Sequence, residues 1–311
     1  KYLNKLKSLK VAIDIPSGLN ADTGYAEYSF NSDFTISLGQ LKKGLFFGDG
    51  YAFSGEVEKG GIGIPDSFYD SFTSTEYLIE PEDALNGLPV KAKNLHKYSA
   101  GKVLTIAGSG SFPGAAVLAS TSALKIGAGA SILCYPKSVR ELVHKKLGEV
   151  VVKTYEDNGK EFLSEKNIDE LSGKIKWADV VAIGPGLGRE KETQSAVLSF
   201  LEKFHSKKVV IDADAVFALG HGKYKKLNLK NSILTPHHAE FSALLGISIS
   251  ELKKDILKYG KAFVKKTGAY LVLKGAPTIF FTPEGDALIN TTGTPALAKF
   301  GTGDVLAGFI A

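Results

Sequence analysis

The sequence predicts an α/β protein whose mainly parallel sheet is covered by helices on both faces. Three observations point to this fold class. From Gly101 onwards, short apolar strands alternate with helical segments, as they do in parallel sheets joined by crossover helices. The runs VLTIA, VVAIG and VVID are continuously apolar, which is typical of strands buried on both faces. These strands end in glycine-rich or polar turns, and open sheets of this kind bind ligands beyond the carboxyl ends of their strands.

The first part of the chain, residues 1–70, is predicted to be the end of a separate α/β domain. Strands and loops over about 65 residues bury too little surface for an independent core, so we expect this domain to be truncated. Residues 71–95 are predicted to be a linker with at most one short helix, which would start at Pro81. The strand candidates of the first part are Val11–Ile15, Phe34–Leu38 and Val57–Ile64.

Residues 96–311 are predicted to form the second domain, with a C-terminus that we expect to be truncated within a helix. Its last three strands are expected to be antiparallel, as edge strands often are. The predicted strands are Lys102–Ala107, Ala130–Tyr135, Asp179–Ile183, Lys208–Asp212, Ser232–Leu234, Tyr270–Leu273, Thr278–Phe281 and Asp286–Ile289. The predicted helices are Pro113–Ile126, Ser138–Leu147, Glu190–Phe204, His238–Leu245 and Glu251–Thr267.

The composition argues against several classes of partner. The 44% apolar and 23% charged residues are those of an ordinary globular protein, and no apolar run is long enough to cross a bilayer. The net charge of +5 suits a polyanionic small molecule, but without an arginine-rich stripe it does not favour nucleic acid. One cysteine, Cys134, excludes an intrachain disulfide and suits a cytoplasmic protein.

The strongest signal for a site is Gly301-Thr302-Gly303-Asp304, directly before a helical segment. Glycines at a helix start let backbone N–H groups bind an anion such as a phosphate. Asp304 is either a carboxylate that suits the helix dipole or a general base that deprotonates a hydroxyl beside a transferring phosphoryl group. The sequence around the turn leaves both interpretations open.

Three further strand exits carry polar or glycine-rich turns. Lys274 and Gly275, after a predicted strand, form either a plain hairpin or a phosphate-binding turn. In the run TPHHAEF, the ring of His237 is placed to reach a cleft, whereas His238 is expected to cap the helix. Gly184, Gly186 and Gly188 allow a ligand to approach closely, although such exits are common.

The remaining exit, AGSGSFPGAA, leads into the helix predicted from Pro113. It does not have the G-x-G-x-x-G spacing of a dinucleotide fingerprint. The sequence also has no P-loop, no Cys/His metal cluster and no G-x-S-x-G elbow, which excludes several common enzyme classes. The five exits together predict one nucleotide-lined cleft.

Six runs of the second domain resemble, in order, the blocks of the NAD(P)HX dehydratase family, a branch of the ribokinase-like fold. They cover about residues 95–311 and are GSGSFPGAAVLASTSALKIGAG, AIGPGLG, VVIDADAV, LTPHHAEF, LVLKGAPT and NTTGTPALAKFGTGDVLAG. The first segment, from VAIDIPSGLNADTG to GGIGIPD, is similar to the last third of NAD(P)HX epimerase, a Rossmann-like domain that is often fused ahead of the dehydratase in bacteria.

The resemblance implies phosphorylation of the hydroxyl of NAD(P)HX by ADP or ATP, followed by loss of phosphate. The TPHHAEF form favours ADP as the donor, and Mg²⁺ is expected for phosphoryl transfer. The catalytic base would be Asp304. The nucleotide-binding residues would be Lys274, Gly275, Ala276, Pro277, Thr278, Gly301 and Gly303, and the substrate-binding residues would be Ala115, Gly186, Gly188 and His237 together with Asp304.

For the epimerase-like segment, the resemblance implies that Asp14 is the acid/base carboxylate in contact with the substrate and that Ser17 is a K⁺ ligand. The other K⁺ ligands of the family lie upstream of this sequence, so epimerase activity is expected of a full-length parent. A homo-oligomer is also expected.

The sequence departs from the family pattern just before the Gly-Thr-Gly-Asp turn. Lys299 and Phe300 stand where relatives have small residues, and Phe300 either narrows the anion-binding turn or packs beneath it.

Two rival functions stay open. A ribokinase-like kinase for a vitamin precursor or a sugar hydroxyl would use the same Gly-x-Gly-Asp turn. A non-catalytic nucleotide sensor would bind the nucleotide without using Asp304 as a base.

Overall fold

The computed structural model describes residues 2–311, with Asp66 described by its backbone alone. The strands are β1 (Val11–Ile13), β2 (Phe34–Leu38), β3 (Glu56–Gly60), β4 (Glu76–Leu78), β5 (Lys102–Ile106), β6 (Ala130–Pro136), β7 (Val151–Tyr155), β8 (Val180–Ile183), β9 (Lys208–Ile211), β10 (Ser232–Leu234), β11 (Tyr270–Leu273), β12 (Thr278–Phe281) and β13 (Ala287–Asn290). The helices are α1 (Gly50–Phe53), α2 (Asp66–Tyr69), α3 (Pro81–Asn86), α4 (Pro113–Ile126), α5 (Arg140–His144), α6 (Glu165–Glu170), α7 (Ser172–Trp177), α8 (Lys191–Lys203), α9 (Ala213–Ala218), α10 (His238–Leu245), α11 (Ile249–Lys254), α12 (Ile256–Thr267) and α13 (Thr302–Ile310).

The chain folds into two compact units that do not follow the sequence in single blocks. The first unit contains Lys1–Asn86, Ser248–Lys266 and Leu273–Gly293. The second contains Gly87–Ile247, Thr267–Val272 and Thr294–Ala311. These units describe compactness in space and not evolutionary modules, so the division into residues 1–70, 71–95 and 96–311 stays a prediction.

The second unit is built on a parallel sheet with the order β11-β10-β9-β8-β5-β6-β7. This confirms the predicted α/β class with a mainly parallel sheet. Strand β5 is buried over Val103–Ile106 and β8 over Val181–Ile183, as their continuously apolar sequences require. Tyr270–Leu273, which was expected to be antiparallel, pairs in parallel with β10.

The strand order reverses between β5 and β8. From β5 the chain moves outwards through β6 to β7, and then β8 on the other side of β5 starts the series β9, β10, β11. Such a reversal opens a crevice at the carboxyl ends of the two central strands, where open α/β sheets bind their ligands. The loops that follow β5 and β8 border this switch point.

Helices α4 and α13 pack against each other in the second unit. α4 has the predicted bounds, with Pro113 at its first position and Gly127 at its C-cap with a φ of 118°. A Cβ atom at Gly301 would lie 2.6 Å from Cδ1 of Leu118, so the start of α13 also lies beside α4. On its sheet side, α13 places Ala307 against Ala182 and Val210 of β8 and β9.

The first unit contains the parallel sheet β1-β2-β3 and three further strands, β4, β12 and β13. Of these, β13 pairs antiparallel with β12 and parallel with β4. The antiparallel expectation for Thr278–Phe281 and the strand after it was therefore correct. Glu76 of β4 accepts a hydrogen bond from Lys261 of α12 at 2.5 Å, which holds the predicted linker against a helix far along the chain.

Candidate functional site

The loops after β5 and β8 touch each other at the switch point. The N–H of Gly108 donates to the carbonyl oxygen of Pro185 at 2.9 Å, and the N–H of Gly184 donates to that of Ile106 at 3.3 Å. Glycines are needed here because both chains turn sharply, with φ of 83° at Gly108 and 128° at Gly184. Two of the predicted ligand-binding exits therefore form one continuous rim.

The rim brings together two residues that the sequence placed in the substrate site, Ala115 and Gly186. A Cβ atom at Gly186 would lie 2.9 Å from the Cβ of Ala115 and 2.7 Å from the carbonyl oxygen of Phe112. Gly186 also has a φ of 63°, which L side chains rarely adopt. Only glycine lets the loop after β8 lie this close to the start of α4.

Gly188, the other predicted substrate residue of this loop, has its N–H already bound. It donates to Oδ2 of Asp214 at 3.0 Å, and the same carboxylate accepts from Nε of Arg189 at 3.1 Å. The side chain of Asp214 is 13% exposed. The sequence prediction missed this residue, although two acids directly after the buried run VVI were a signal for strand-end chemistry.

A second carboxylate at the same strand end was also missed. Asp212 ends the strand run and is 1% exposed, and its Oδ1 accepts a hydrogen bond from Oγ1 of Thr235 at 2.6 Å. A Cβ atom at Gly184 would lie 1.8 Å from the carbonyl oxygen of Asp212. The loop after β8 is thus packed directly onto the loop after β9.

His237 caps α10, which corrects the sequence prediction that gave this role to His238. Its Nδ1 accepts the N–H groups of Ala239 and Glu240 at 3.1 and 3.2 Å, and Oε2 of Glu240 accepts the N–H of His237 at 2.9 Å. Because Nδ1 is an acceptor, a neutral ring carries its proton on Nε2. The side chain is 55% exposed, and its Nε2 lies 3.4 Å from Oε1 of Glu240.

The Gly-Thr-Gly-Asp turn forms the beginning of α13. Gly301 is the N-cap with a φ of 90°, and Asp304 lies in the first helical turn with intermediate exposure. An acid at this position suits the positive end of the helix dipole. Phe300 is fully exposed (108%), so the alternative in which it packs beneath the turn is wrong.

The predicted nucleotide-binding run Lys274–Thr278 belongs to the first compact unit, where it connects β11 to β12. Oγ1 of Thr278 donates to the carbonyl oxygen of Gly275 at 3.1 Å, which closes the turn. Gly275 and Ala276 are exposed and Pro277 is buried. The two exposed residues leave their backbone groups at the surface of the turn.

Asp14, also in the first unit, lies at the end of β1 with a φ of 71°. Its Oδ1 accepts the N–H of Leu38 at 3.0 Å and the ammonium group of Lys42. The hydrogen bond from Lys42 lowers the pKa of the Asp14 carboxyl below its usual value, against a smaller opposing effect of burial. Lys42 was missed by the sequence prediction, because nothing in the run LKKGL separates it from solvated lysines.

Ser17, the predicted K⁺ ligand, is exposed, and its carbonyl oxygen accepts the N–H of Phe30 at 2.9 Å. Within residues 2–311, no group of three or more His, Cys, Asp or Glu side chains is arranged to hold a metal ion. In the same range, none of the helices has the length and apolar character that spanning a bilayer requires.

Two protein families match different parts of the chain. The NAD(P)H-hydrate dehydratase family matches residues 103–311, and the family described as YjeF-related protein N-terminus matches residues 1–44. Among curated relatives, the bifunctional NAD(P)H-hydrate repair enzyme of Thermofilum pendens is 34% identical over 99% of this chain and 58% of its own length. The enzyme of the same name from Escherichia coli is 33% identical over 96% of this chain and 55% of its own length. The chain therefore spans somewhat more than half of these relatives.

Two solved structures are similar in fold. The ADP/ATP-dependent NAD(P)H-hydrate dehydratase of Bacillus subtilis, co-crystallized with ATP and Mg²⁺, has a TM-score of 0.59 and 31% identity over 73% of this chain and 76% of its own. A ribokinase-like superfamily protein of Enterococcus faecalis has a TM-score of 0.67 and 24% identity over 77% of this chain and 80% of its own. Together they support the predicted ribokinase-like fold.

Proposed function

Because the chain belongs to the NAD(P)H-hydrate dehydratase family, we propose that it converts (S)-NAD(P)HX to NAD(P)H at the expense of ADP or ATP. One observation carries the proposal: the family match over residues 103–311 contains every residue that the sequence assigned to the dehydratase site. The ribokinase-like kinase and the nucleotide sensor are the alternatives to be tested against it.

The hydroxyl of the hydrated ring is a poor leaving group, so it is first phosphorylated. This phosphorylation needs a base that removes the proton of the hydroxyl. Asp304 takes the proton of that hydroxyl, and the hydroxyl oxygen attacks the terminal phosphorus of the nucleotide. A new P–O bond forms, and the P–O bond to AMP or ADP breaks. The C–O bond of the phosphate ester then breaks with electrons from the ring nitrogen, and loss of a proton from the adjacent carbon restores the dihydropyridine.

The start of α13 is suited to this chemistry. The backbone N–H groups of Gly301 and Gly303, together with the positive end of the helix dipole, would stabilise the charge on the transferring phosphoryl group. The family resemblance also assigns Lys274–Thr278 to the nucleotide, with Lys274 as a cation for phosphates. Asp304 has intermediate exposure, so the residue is not fully buried.

The substrate would lie along the rim formed by Ala115, Gly186 and Gly188, with His237 beside it. Ala115 and Gly186 lie close enough to form one surface, which supports a shared role. The N–H of Gly188 already donates to Asp214. Gly188 would therefore let the substrate approach the loop closely, but it would not donate a hydrogen bond to the substrate.

Magnesium fits this set of residues without a protein cage of its own. Mg²⁺ usually keeps several waters and binds through one or two carboxylates and the phosphates of a nucleotide, so it does not require a cluster of three protein ligands. When bound, the ion would neutralise charge on the phosphates, and Asp304 and the start of α13 would act as described above.

For the parent protein, we further propose an epimerase activity in which Asp14 is the acid/base residue and Ser17 contributes one K⁺ ligand. The YjeF-related match at residues 1–44 and the polar environment of Asp14 support this part. The predicted homo-oligomer and cytoplasmic location stay predictions.

The test is to incubate the protein with hydrated NADH and either ADP or ATP and to follow the absorbance of the dihydropyridine. Recovery of absorbance with release of inorganic phosphate supports repair, whereas a stable phosphate ester indicates a kinase. Asp304→Asn should lower turnover by at least about 100-fold with nucleotide binding retained. The matched control is Asp169→Asn, which removes an exposed acid paired with Lys203. Wild-type protein that binds nucleotide without turnover would indicate a sensor.

A further inference from the structure

A carboxylate lies over Gly110, in the glycine-rich loop that leads into α4. A Cβ atom at Gly110 would be 1.9 Å from Oε2 of Glu161, so the glutamate side chain occupies the space that a residue other than glycine would need. The N–H of Gly110 also donates to the carbonyl oxygen of Glu161 at 3.0 Å. Glu161 is exposed, and in residues 2–311 its carboxylate has no ion pair.

The loop that carries Glu161 is held in a costly conformation. Asn158 and Glu161 have φ of 51° and 63°, values that residues with a side chain rarely adopt. The buried carboxylate of Asp157 fixes the loop, because it accepts the N–H of Glu161 at 2.8 Å and the N–H and hydroxyl of Ser138. Glu161 is therefore positioned against Gly110 and is not a loose surface acid.

A second carboxylate lies over the other side of the switch point. A Cβ atom at Gly188 would be 2.3 Å from Oε2 of Glu190, which is exposed at the start of α8. The nearby cations are already engaged, since Lys160 lies 3.8 Å from Glu192 and Arg189 binds Asp214. In the described part of the chain, Glu190, like Glu161, has no ion pair.

An independent observation marks this loop as a place for a ligand. Ser109, between Gly108 and Gly110, is 4% exposed, and its hydroxyl has no hydrogen-bond partner in residues 2–311. Buried hydroxyls are normally satisfied, so an orphaned one beside a glycine-rich rim indicates a group that a bound molecule completes. The rim then presents two exposed carboxylates, and the loop next to Glu161 holds this buried hydroxyl.

We propose that Glu161, assisted by Glu190, is a specificity-determining residue that favours the dinucleotide with a free ribose 2′-hydroxyl over the form with a 2′-phosphate. This inference rests on the proposed function for the identity of the ligand. A carboxylate accepts hydrogen bonds from ribose hydroxyls, as acidic residues do in other dinucleotide sites. It repels a 2′-phosphate, which adds about −1.5 to −2 charges near pH 7.

The experiment measures binding and needs no turnover. NADH and NADPH are titrated separately into the protein without a nucleotide donor, and the fluorescence of the dihydropyridine reports each Kd at low ionic strength. We expect NADH to bind more tightly than NADPH. In Glu161→Gln, which preserves the shape of the side chain, the ratio of the two Kd values should move toward unity by at least about fivefold. Glu190→Gln should act in the same direction with a smaller effect.

The matched control is Glu202→Gln, which removes an exposed acid near the opposite end of α8. Equal affinity of the wild-type protein for NADH and NADPH, binding of neither, or a Kd ratio that Glu161→Gln leaves unchanged would each overturn the inference. Since the dehydration assay is separate, a protein with turnover but without this discrimination would refute the role of Glu161 alone. A protein that discriminates without turnover would refute the proposed function alone.

Discussion

Gly308 of α13 lies directly against Ala119 of α4: a Cβ atom at position 308 would be 2.0 Å from the carbonyl oxygen of Ala119. It would also be 2.0 Å from Oγ of Ser122. Glycine costs about 1 kcal/mol in a helix interior relative to alanine, so its presence here reflects close helix packing. This packing fixes where α13 begins, and with it the position of Asp304.

Gly308→Ala should therefore destabilise the protein although alanine is the better helix former. Because backbone atoms of α4 cannot move away cheaply, we expect the free energy of unfolding to fall by about 2 kcal/mol. Urea denaturation followed by circular dichroism measures this. Gly173→Ala in α7 is the control, since its Cβ would meet nothing within 4 Å. An unchanged midpoint for Gly308→Ala would show that the two helices are not in such close contact.

The fixed conformation of the loop around Asp157 predicts a pH-dependent contribution to stability. Burial alone would raise the pKa of the Asp157 carboxyl, but hydrogen bonds from Ser138 and from the N–H of Glu161 outweigh it and hold the pKa below its usual value. The contribution is then fully present above the unfolded-state pKa of about 3.9, and it is lost as the pH falls through the lower folded-state pKa.

Asp157→Asn should lower the free energy of unfolding by about 2 kcal/mol at pH 7, with the difference from wild type shrinking only below about pH 4. Urea unfolding at a series of pH values measures both quantities. Asp169→Asn, at an exposed surface ion pair, should change stability by less than about 1 kcal/mol. A difference that vanishes already near pH 6 would contradict the role of the charged form.

The strongest periodic patterns predicted the fold best. Three elements were predicted with the bounds that the structure has: Pro113–Ile126, Ser232–Leu234 and His238–Leu245. A proline marks the first, a buried apolar run marks the second, and a helix start marks the third. The predicted helix Glu251–Thr267 is two helices, since Asp255 adopts a non-helical conformation between them. β7, with alternating exposure over Val151–Tyr155, was missed because no continuous apolar run marks it.

The candidate site was only partly predictable for a different reason. Glycines that turn a strand into a loop are visible in a sequence, so Gly186 and Gly188 were found. Partners that meet only in space were not. Asp214 binds the N–H of Gly188 from 26 residues away, and Glu161 covers Gly110 from a loop after another strand. No local pattern distinguishes such acids from solvated ones.

Cys134 provides a probe of the central sheet. It is fully buried in β6, and burial raises the pKa of its thiol to about 12. Since the thiolate is the reactive form, alkylation by iodoacetamide at pH 8 should be slower in the folded protein than in urea by at least about 1,000-fold. Mass spectrometry over time measures the rates. Rapid labelling of folded protein would mean that β6 opens readily.

The pair Asp14 and Lys42 predicts a change in acidity that can be measured without any activity. The hydrogen bond from Lys42 is the largest cause of the lowered pKa of Asp14, and the N–H of Leu38 adds a further lowering. Lys42→Met should therefore raise the pKa of Asp14 toward its usual value, as measured by NMR titration of the carboxyl carbon. Lys43→Met, at the neighbouring lysine that contacts Glu76 and Asp22, is the control and should leave Asp14 unchanged.

The lack of room for a side chain between Gly186 and Ala115 predicts a selective effect on the hydrated dinucleotide. In Gly186→Ala, the new methyl group would lie 2.9 Å from Cβ of Ala115 and 2.7 Å from the carbonyl oxygen of Phe112, so the start of α4 must move. Displacement of that rim should raise the KM for hydrated NADH by at least about tenfold, because small displacements in a binding rim are costly. The KM for ADP or ATP should change less, since the nucleotide is assigned to other turns.

Gly246→Ala is the control that separates crowding from backbone strain. Its φ of 76° gives alanine the same kind of backbone strain, while its Cβ would meet nothing within 4 Å. Equal effects of the two substitutions on KM would place the substrate away from Ala115 and Gly186.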